Sequence, residues 1–242
     1  MSVAALIPAY CEEKFIANVV ARTLAQQPGI SRVLVVDDGS PDRTAELARA
    51  AGAEVIVHET NAGKGAAVQT GLRRLQEDPA CEWIVMLDAD GQHRPEEIGR
   101  FLDAAQQMPA ARLFIGTRMS DTRTMPLVRR LTNRFMSAQI SLLCGQRIAD
   151  TQCGFRLLHR TLIPLLLDRA ARFDYETEML IVTSWRGEKI ADVPVSTVYG
   201  EETSSIHPLR DTGRFFKLMG RYWLRRWRQR EVDGNQAAML PL

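Results

Sequence analysis

Trp83-Ile84-Val85-Met86-Leu87-Asp88-Ala89-Asp90-Gly91-Gln92-His93 is the stretch whose reading decides the fold. It opens as an unbroken apolar run, Trp83 to Leu87, which suits a short strand buried on both faces. It closes in Asp88 and Asp90, one residue apart. In an extended chain alternate side chains share a face, so both carboxylates can point to one place. Two hard oxygen ligands at the mouth of a buried strand suit Mg²⁺ or Mn²⁺, with a phosphate filling other positions. The same pair also suits capping of a helix that starts near Pro95, and this stretch alone leaves both uses open. Gly91 lets the chain turn away. Gln92 follows as a further polar candidate, and His93 as either a ligand or a helix-start residue.

Outward from this stretch, strand and helix signals alternate. Val3 to Ile7 reads as a strand ended by Pro8-Ala9-Tyr10, followed by a helix to about Gln26 with Glu12 and Glu13 in its first turn. Arg32 to Val36 is a second strand, and it too ends in acids, Asp37-Asp38-Gly39-Ser40. Ser40 and Pro41 suit the start of the next helix. Glu54 to Val57 is a third strand, and Asn61-Ala62-Gly63-Lys64-Gly65 leads into a helix to about Gln76. Pro95 to Gln107 is helical, and Arg112 to Ile115 is a short strand. Such alternation implies an α/β fold with a mostly parallel central sheet and helices on both faces. Ligands in such sheets bind beyond the carboxyl ends of the strands. Tyr10, Glu12, Asp37, Asp38, Lys64, Asp88 and Asp90 all fall at that edge, where a core needs no acids.

After Arg118 the rhythm changes. Pro126 to Leu143 reads as a helix that is basic at its start, with Arg129, Arg130 and Arg134. Asp150-Thr151-Gln152-Cys153-Gly154-Phe155-Arg156 is turn-rich and leads to a short strand. Phe173 to Trp185 is a helix carrying Glu176 and Glu178, Ile190 to Tyr199 a strand, and Pro208 to Gln229 a last helix. No linker composition is evident, so a single domain is expected over residues 1–230. Its donor half would be 1–118 and its acceptor half 119–230, followed by a flexible tail at 231–242. A net charge of +2 gives no general attraction to nucleic acid. No apolar stretch approaches the roughly 20 residues of a membrane span, and no basic n-region or cleavage site marks a signal peptide. Cys11, Cys81, Cys144 and Cys153 are scattered without a C-x-x-C pair, which fits a reduced cytoplasmic protein.

The segments PAYCE, VVDDGSPDRT, NAGKGAAVQTGL, VMLDADGQHRPEEI, GTR and DTQCGFR follow one another over roughly residues 3 to 160. In that order and spacing they resemble family-2 glycosyltransferases of the GT-A fold, in particular the dolichyl- or polyprenyl-phosphate sugar synthases. The resemblance implies an inverting transfer of a sugar from a nucleotide diphosphate sugar, of GDP-mannose or UDP-glucose type. By position it implies that Pro8, Tyr10, Glu12 and Asp38 hold the nucleoside and that Lys64 lies near the base or phosphates. Asp88, Ala89 and Asp90 would meet the donor, with Asp88, Asp90 and Gln92 holding Mg²⁺ or Mn²⁺. Asp150 and Arg156 would border the acceptor. Two departures stand out. Cys11 stands where the family usually has Asn, and Glu201 and Glu202 stand where close relatives carry a basic phosphate-gripping loop. His207, Arg210 and Arg214 are nearby cations that could take over that grip.

The chemistry assigns the remaining roles. A departing diphosphate needs its charge neutralised, which a dication on Asp88 and Asp90 does. A sugar-hydroxyl acceptor needs a base, for which Asp150 is the first candidate and Glu178 the second. A lipid-phosphate acceptor has a second pKa of about 6 and is already anionic at neutral pH. It needs cations instead, and Arg118, Arg123, Arg129, Arg130, Arg134, Arg156 and Arg210 supply them, unless the helical ones form a solvated face. In the last helix Phe216, Met219, Trp223 and Trp227 share one face, opposite Arg214, Lys217, Arg221, Arg225 and Arg228. That pattern suits a helix at a membrane interface, and equally one packed on the sheet or in a dimer. The expectation is therefore a polyprenyl-phosphate glycosyltransferase peripheral to the inner membrane face. The alternatives are a soluble transferase with a saccharide or small-molecule acceptor, a nucleotidyltransferase, and a non-catalytic nucleotide-sugar binder. A Walker-type NTPase is excluded, since Gly63-Lys64-Gly65 lacks the P-loop spacing.

Overall fold

A computed structural model describes residues 2–26, 29–118, 127–167, 175–196 and 217–226, with the backbone alone at 127–130. Packing divides the chain into two compact units, Met1–Glu201 and Glu202–Leu242. The first unit runs β1 (Val3–Ala9), α1 (Ile16–Leu24), β2 (Ile30–Asp37), α2 (Thr44–Ala50), β3 (Glu54–Val57) and α3 (Lys64–Gln76). It continues with β4 (Trp83–Met86), α4 (Ile98–Gln107), β5 (Ala111–Thr117) and α5 (Leu127–Cys144). β6 (Arg156–His159), α6 (Ile163–Leu166), α7 (Tyr175–Trp185) and β7 (Lys189–Pro194) complete it.

The seven strands form one sheet in the order β3-β2-β1-β4-β6-β5-β7. Every pairing is parallel except those of β6, which runs antiparallel to β4 and β5. Apolar composition follows position in this order. β1 lies third, with all of Val3–Ala9 buried, and Trp83–Met86 of β4 is buried throughout. β3 at the edge has exposed residues at both ends and half-buried ones between them. In α1, Ile16, Val19, Val20 and Thr23 face the core at helical spacing, and Thr23 Oγ1 returns a hydrogen bond to Val19 O at 2.7 Å.

Two helix starts differ from the sequence expectation. α1 begins at Ile16, so Glu12 and Glu13 precede it; the Glu12 carbonyl accepts from Phe15 N and Ile16 N. α2 begins at Thr44, with Asp42 Oδ1 accepting from Thr44 N at 3.0 Å. Ser40 does not cap it. Its hydroxyl donates to Asp37 and accepts from Cys11 N at 2.9 Å, tying the ends of β1 and β2 together.

In the second unit the described part is helix α8, residues 217–226. Leu218, Met219 and Tyr222 are buried, while Lys217, Arg221 and Arg225 are exposed. The Arg221 and Arg225 guanidinium carbons stand 5.4 and 5.6 Å from the Tyr222 ring centre. Phe216, Trp227, Arg228, Arg214 and the expected tail at 231–242 lie outside the described residues.

Candidate active site

The antiparallel β6 builds the site. Parallel strands β1, β2, β3 and β4 end on one edge of the sheet. β6 runs the opposite way and pairs Arg156 with Met86, so the turn before β6 arrives where β4 ends. Asp88 therefore meets Gly154. A Cβ at Gly154 would stand 2.6 Å from Asp88 Oδ2 and 2.9 Å from Oδ1, closer than atoms can approach. The motif's glycine is there to let the turn lie against the carboxylate.

Asp88 is also held from the opposite side. Lys64 Nζ, at the start of α3, lies 2.6 Å from Asp88 Oδ1 and 2.7 Å from Glu176 Oε1 at the start of α7. Burial alone would lower the Lys64 pKa, but Asp88 and Glu176 outweigh it and keep the ammonium protonated above its ordinary range. Burial would likewise raise Asp88, and the Lys64 charge and hydrogen bond reverse this, holding Asp88 ionised well below the carboxylate range. Asp90 moves the other way: burial and then the Asp88 charge raise it. Asp90 Oδ1 accepts from Gln92 N at 2.9 Å. His93 is buried, and burial lowers its pKa. Its Nδ1 accepts from Asp88 N at 3.1 Å, so it is a neutral ring bracing the backbone of the acid loop. Its ring lies 5.2 Å from Phe155.

The residues expected on the nucleoside side follow the ends of β1 and β2. Tyr10 is 46% exposed beyond β1, open to a ligand's ring. Glu12 N donates to Thr44 Oγ1 at 2.8 Å. Asp38 is buried, and its carboxylate accepts from Ala62 N at 3.0 Å, Gly63 N at 2.7 Å and His58 Nδ1 at 2.7 Å. His58 Nε2 in turn meets Thr70 Oγ1 at 2.9 Å. Asp38 thus sets the shape of the loop that presents Lys64. His58 was not singled out in the sequence, because no local motif marks it.

The acceptor-side candidates divide. Asp150 is fully buried, clamped by Arg118 Nε at 2.7 Å and a second Arg118 nitrogen at 3.0 Å, and also accepts from Gln152 N at 3.2 Å. Arg156 is fully buried and donates to the carbonyls of Cys153, Thr151 and Glu176. In this arrangement both brace the turn that carries Gly154; neither is presented to a ligand. Glu178 is buried, two residues beyond Glu176 and therefore about 200° around the helix. It is Glu176 that reaches the Lys64–Asp88 pair, a residue the sequence placed on the helix without assigning it a role. Arg134 is exposed on α5. The side chains of Arg129 and Arg130, and Arg123, His207, Arg210, Arg214, Glu201 and Glu202 altogether, lie outside the described residues.

Among the described residues no group of three or more acids, histidines or cysteines is set to hold a metal ion. The donors at the edge are two carboxylates and an amide, Asp88, Asp90 and Gln92. That set fits Mg²⁺ or Mn²⁺, which take one or two protein carboxylates and complete their shell with water and phosphate oxygens. The Lys64 ammonium against Asp88 shows directly that a cation is stabilised at this edge.

Residues 4–166 match the family model described as Glycosyl transferase family 2. The UDP-N-acetylglucosamine–dolichyl-phosphate N-acetylglucosaminyltransferase of Methanococcus voltae is 31% identical over 81% of this chain and 85% of its own length. The undecaprenyl-phosphate mannosyltransferase of Micrococcus luteus is 31% identical over 83% of this chain and 85% of its own. Glucosyl-3-phosphoglycerate synthase from Mycobacterium tuberculosis, crystallised with Mn²⁺, UDP and phosphoglyceric acid, superposes with a TM-score of 0.69 at 20% identity, over 93% of this chain and 78% of that one. With that fold, that motif order and those relatives, the chain belongs to glycosyl transferase family 2 and is a glycosyltransferase on the GT-A fold.

Proposed function

We propose that this enzyme moves a sugar from a nucleotide diphosphate sugar to a polyprenyl or dolichyl phosphate, with inversion, at the surface of a membrane. The observation that carries the reading is the convergence of Asp88, Lys64, Glu176 and Gly154 at the carboxyl edge of the sheet. Relatives that match most of the chain are named for lipid-phosphate acceptors, which supports the acceptor class. No described helix is long and apolar enough to cross a membrane, so the contact proposed is peripheral.

Asp88, Asp90 and Gln92 would hold a dication, which when bound supplies positive charge to the departing diphosphate. The chain's own residues do the rest. Tyr10 offers an exposed ring for the base. Lys64 carries a second positive charge within reach of the same edge. Asp150 and Arg156 keep Gly154 against Asp88, fixing the carboxylate's direction before the donor arrives. With both Asp150 oxygens engaged by Arg118, no proton acceptor is offered there. A phosphate acceptor, already anionic near neutral pH, needs none.

The position of Glu176 favours a second reading. A carboxylate beside Lys64 could serve a saccharide hydroxyl as base. One experiment separates the two. Radiolabelled nucleotide sugars are offered with polyprenyl phosphate, and the label is partitioned between organic and aqueous phases. Label in the organic phase, lost in Asp90→Ala and retained in Glu176→Gln, supports the lipid phosphate. A product confined to water and abolished by Glu176→Gln supports the saccharide.

A further inference from the structure

His58 joins three segments on the donor side of the site. Its backbone N–H donates to Asp37 O at 2.9 Å, which carries the pairing of β2 and β3 one residue past Val57 and fixes where the ring starts. The ring then reaches two other segments. Nδ1 meets Asp38 Oδ1 at 2.7 Å, just after β2, and Nε2 meets Thr70 Oγ1 at 2.9 Å, within α3. An ionised carboxylate only accepts, so Nδ1 carries the proton, and the neutral ring accepts the Thr70 hydroxyl at Nε2.

What this bridge holds is the loop that leads to Lys64. Glu59, Thr60, Asn61 and Ala62 are exposed, so apolar packing does not fix that loop. Polar and backbone contacts do. Asp38 accepts from Ala62 N at 3.0 Å and Gly63 N at 2.7 Å. A Cβ at Gly39 would stand 2.9 Å from Thr60 C and 3.0 Å from Asn61 N, so the turn after β2 and the loop lie backbone to backbone. Gly63, at φ 100, precedes α3 without a side-chain cap, and the Asp38 carboxylate supplies the missing acceptor and the negative charge that a helix start favours. Lys64 follows at once and sends Nζ to Asp88 and Glu176. The direction of Asp38 thus sets where Lys64 begins, and the His58 ring, braced on Thr70, sets the direction of Asp38. We infer that His58 is a positioning residue for sugar transfer, acting through Asp38 to place the Lys64 ammonium that meets the donor diphosphate. The inference rests on the proposed donor reading and deepens it, by naming a side chain outside every motif of the site.

The test is calorimetry of UDP and of GDP, each with Mn²⁺, on the whole chain, with a thermal melt of every variant to check folding. Wild type binds one of the two. His58→Phe keeps neither ring bond and binds that nucleotide about tenfold more weakly. His58→Asn sets an amide N–H where Nδ1–H stands and stays within about threefold of wild type. His58→Gln reaches Thr70 without Asp38 and is as weak as His58→Phe. Should His58→Phe fail to fold, the order of His58→Asn over His58→Gln decides alone. In a Lys64→Met background the loss from His58→Phe shrinks to less than about twofold, because the two residues act as one unit. A merely structural role would give the same loss in both backgrounds, and that result overturns the inference. So does wild-type affinity in His58→Phe, or equal affinity in His58→Asn and His58→Gln. A wild type that binds neither nucleotide overturns the proposed donor as well, so the two readings fail in different ways.

Discussion

At the scale of single residues, the site depends on close approach and backbone sign. Gly154→Ala would place a methyl group 2.6 Å from Asp88 Oδ2. The turn must retreat or the carboxylate must rotate, and kcat/KM should fall on the order of 10²-fold, as for other ångström-scale displacements. Gly99→Ala is the matched control, since its Cβ would meet nothing within 4 Å. In the first turn of α4 it should raise stability by about 0.5–1 kcal/mol with activity unchanged, read by thermal melt and assay. Cys11 is the one non-glycine with positive φ among the described residues, at φ 59. Asn adopts that conformation more readily than Cys, so Cys11→Asn should raise the melting temperature slightly, by about 1–3 °C. The cysteines also offer a pH test. Burial pushes the Cys153 thiol up to about 12 from an ordinary 9.0. A folded-state pKa above the unfolded one means that the unfolded chain loses its proton first. This contribution to stability is thus intact below pH 9 and is eroded as pH rises towards 12. Native protein at pH 8 should accordingly be alkylated at exposed Cys11 and spared at buried Cys153, as peptide mass mapping would show.

At the scale of elements, the turn between α5 and β6 couples the two sides of the site. Arg118 reaches it from the end of β5, Arg156 from within β6, and Ser137 from α5. Asp150→Ala would remove the carboxylate that the Arg118 guanidinium, 11% exposed, grips through two nitrogens. Breaking a buried pair in this way costs about 3–5 kcal/mol, so the variant should melt many degrees lower and lose activity together with stability. Arg118→Met combined with Asp150→Leu should recover much of the stability and, with it, part of the activity. Activity that returns with stability would show that the pair holds the turn; activity that stays lost would show a role in proton transfer. The motif DTQCGFR marked this segment but not what its residues touch, because a buried Asp150 gripped by Arg118 and a buried Arg156 bonded to carbonyls look in sequence like reactive residues.

At the scale of the whole molecule, Asp90, its pKa raised by burial and by Asp88, costs the free protein stability at neutral pH, and a bound dication would recover it. A dication and a nucleoside diphosphate that bind only the folded state should stabilise it together. At ligand concentrations of 100 Kd the gain is about 2.7 kcal/mol, or roughly 5–10 °C in a chain of this size. A thermal-shift panel of GDP and UDP sugars with Mn²⁺ would identify the donor as the one giving the largest shift, and EDTA should abolish that shift. If EDTA leaves it unchanged, Lys64 alone is sufficient to hold the diphosphate.

The amino-acid sequence by itself determined the order of strands and helices, the parallel character of the donor half, and the place of Asp88 and Asp90 at a strand mouth. These follow from local facts: apolar runs of strand length, and polar residues that cannot be buried in a core. Only the tertiary structure decided which polar residues stand together. The reversal of β6 brings Gly154 to Asp88. The start of α7 brings Glu176, not Glu178, to Lys64, and packing buries Asp150 and Arg156 with their charges satisfied. Side-chain periodicity is a property of neighbours along the chain; what a carboxylate touches is set by segments distant in the chain.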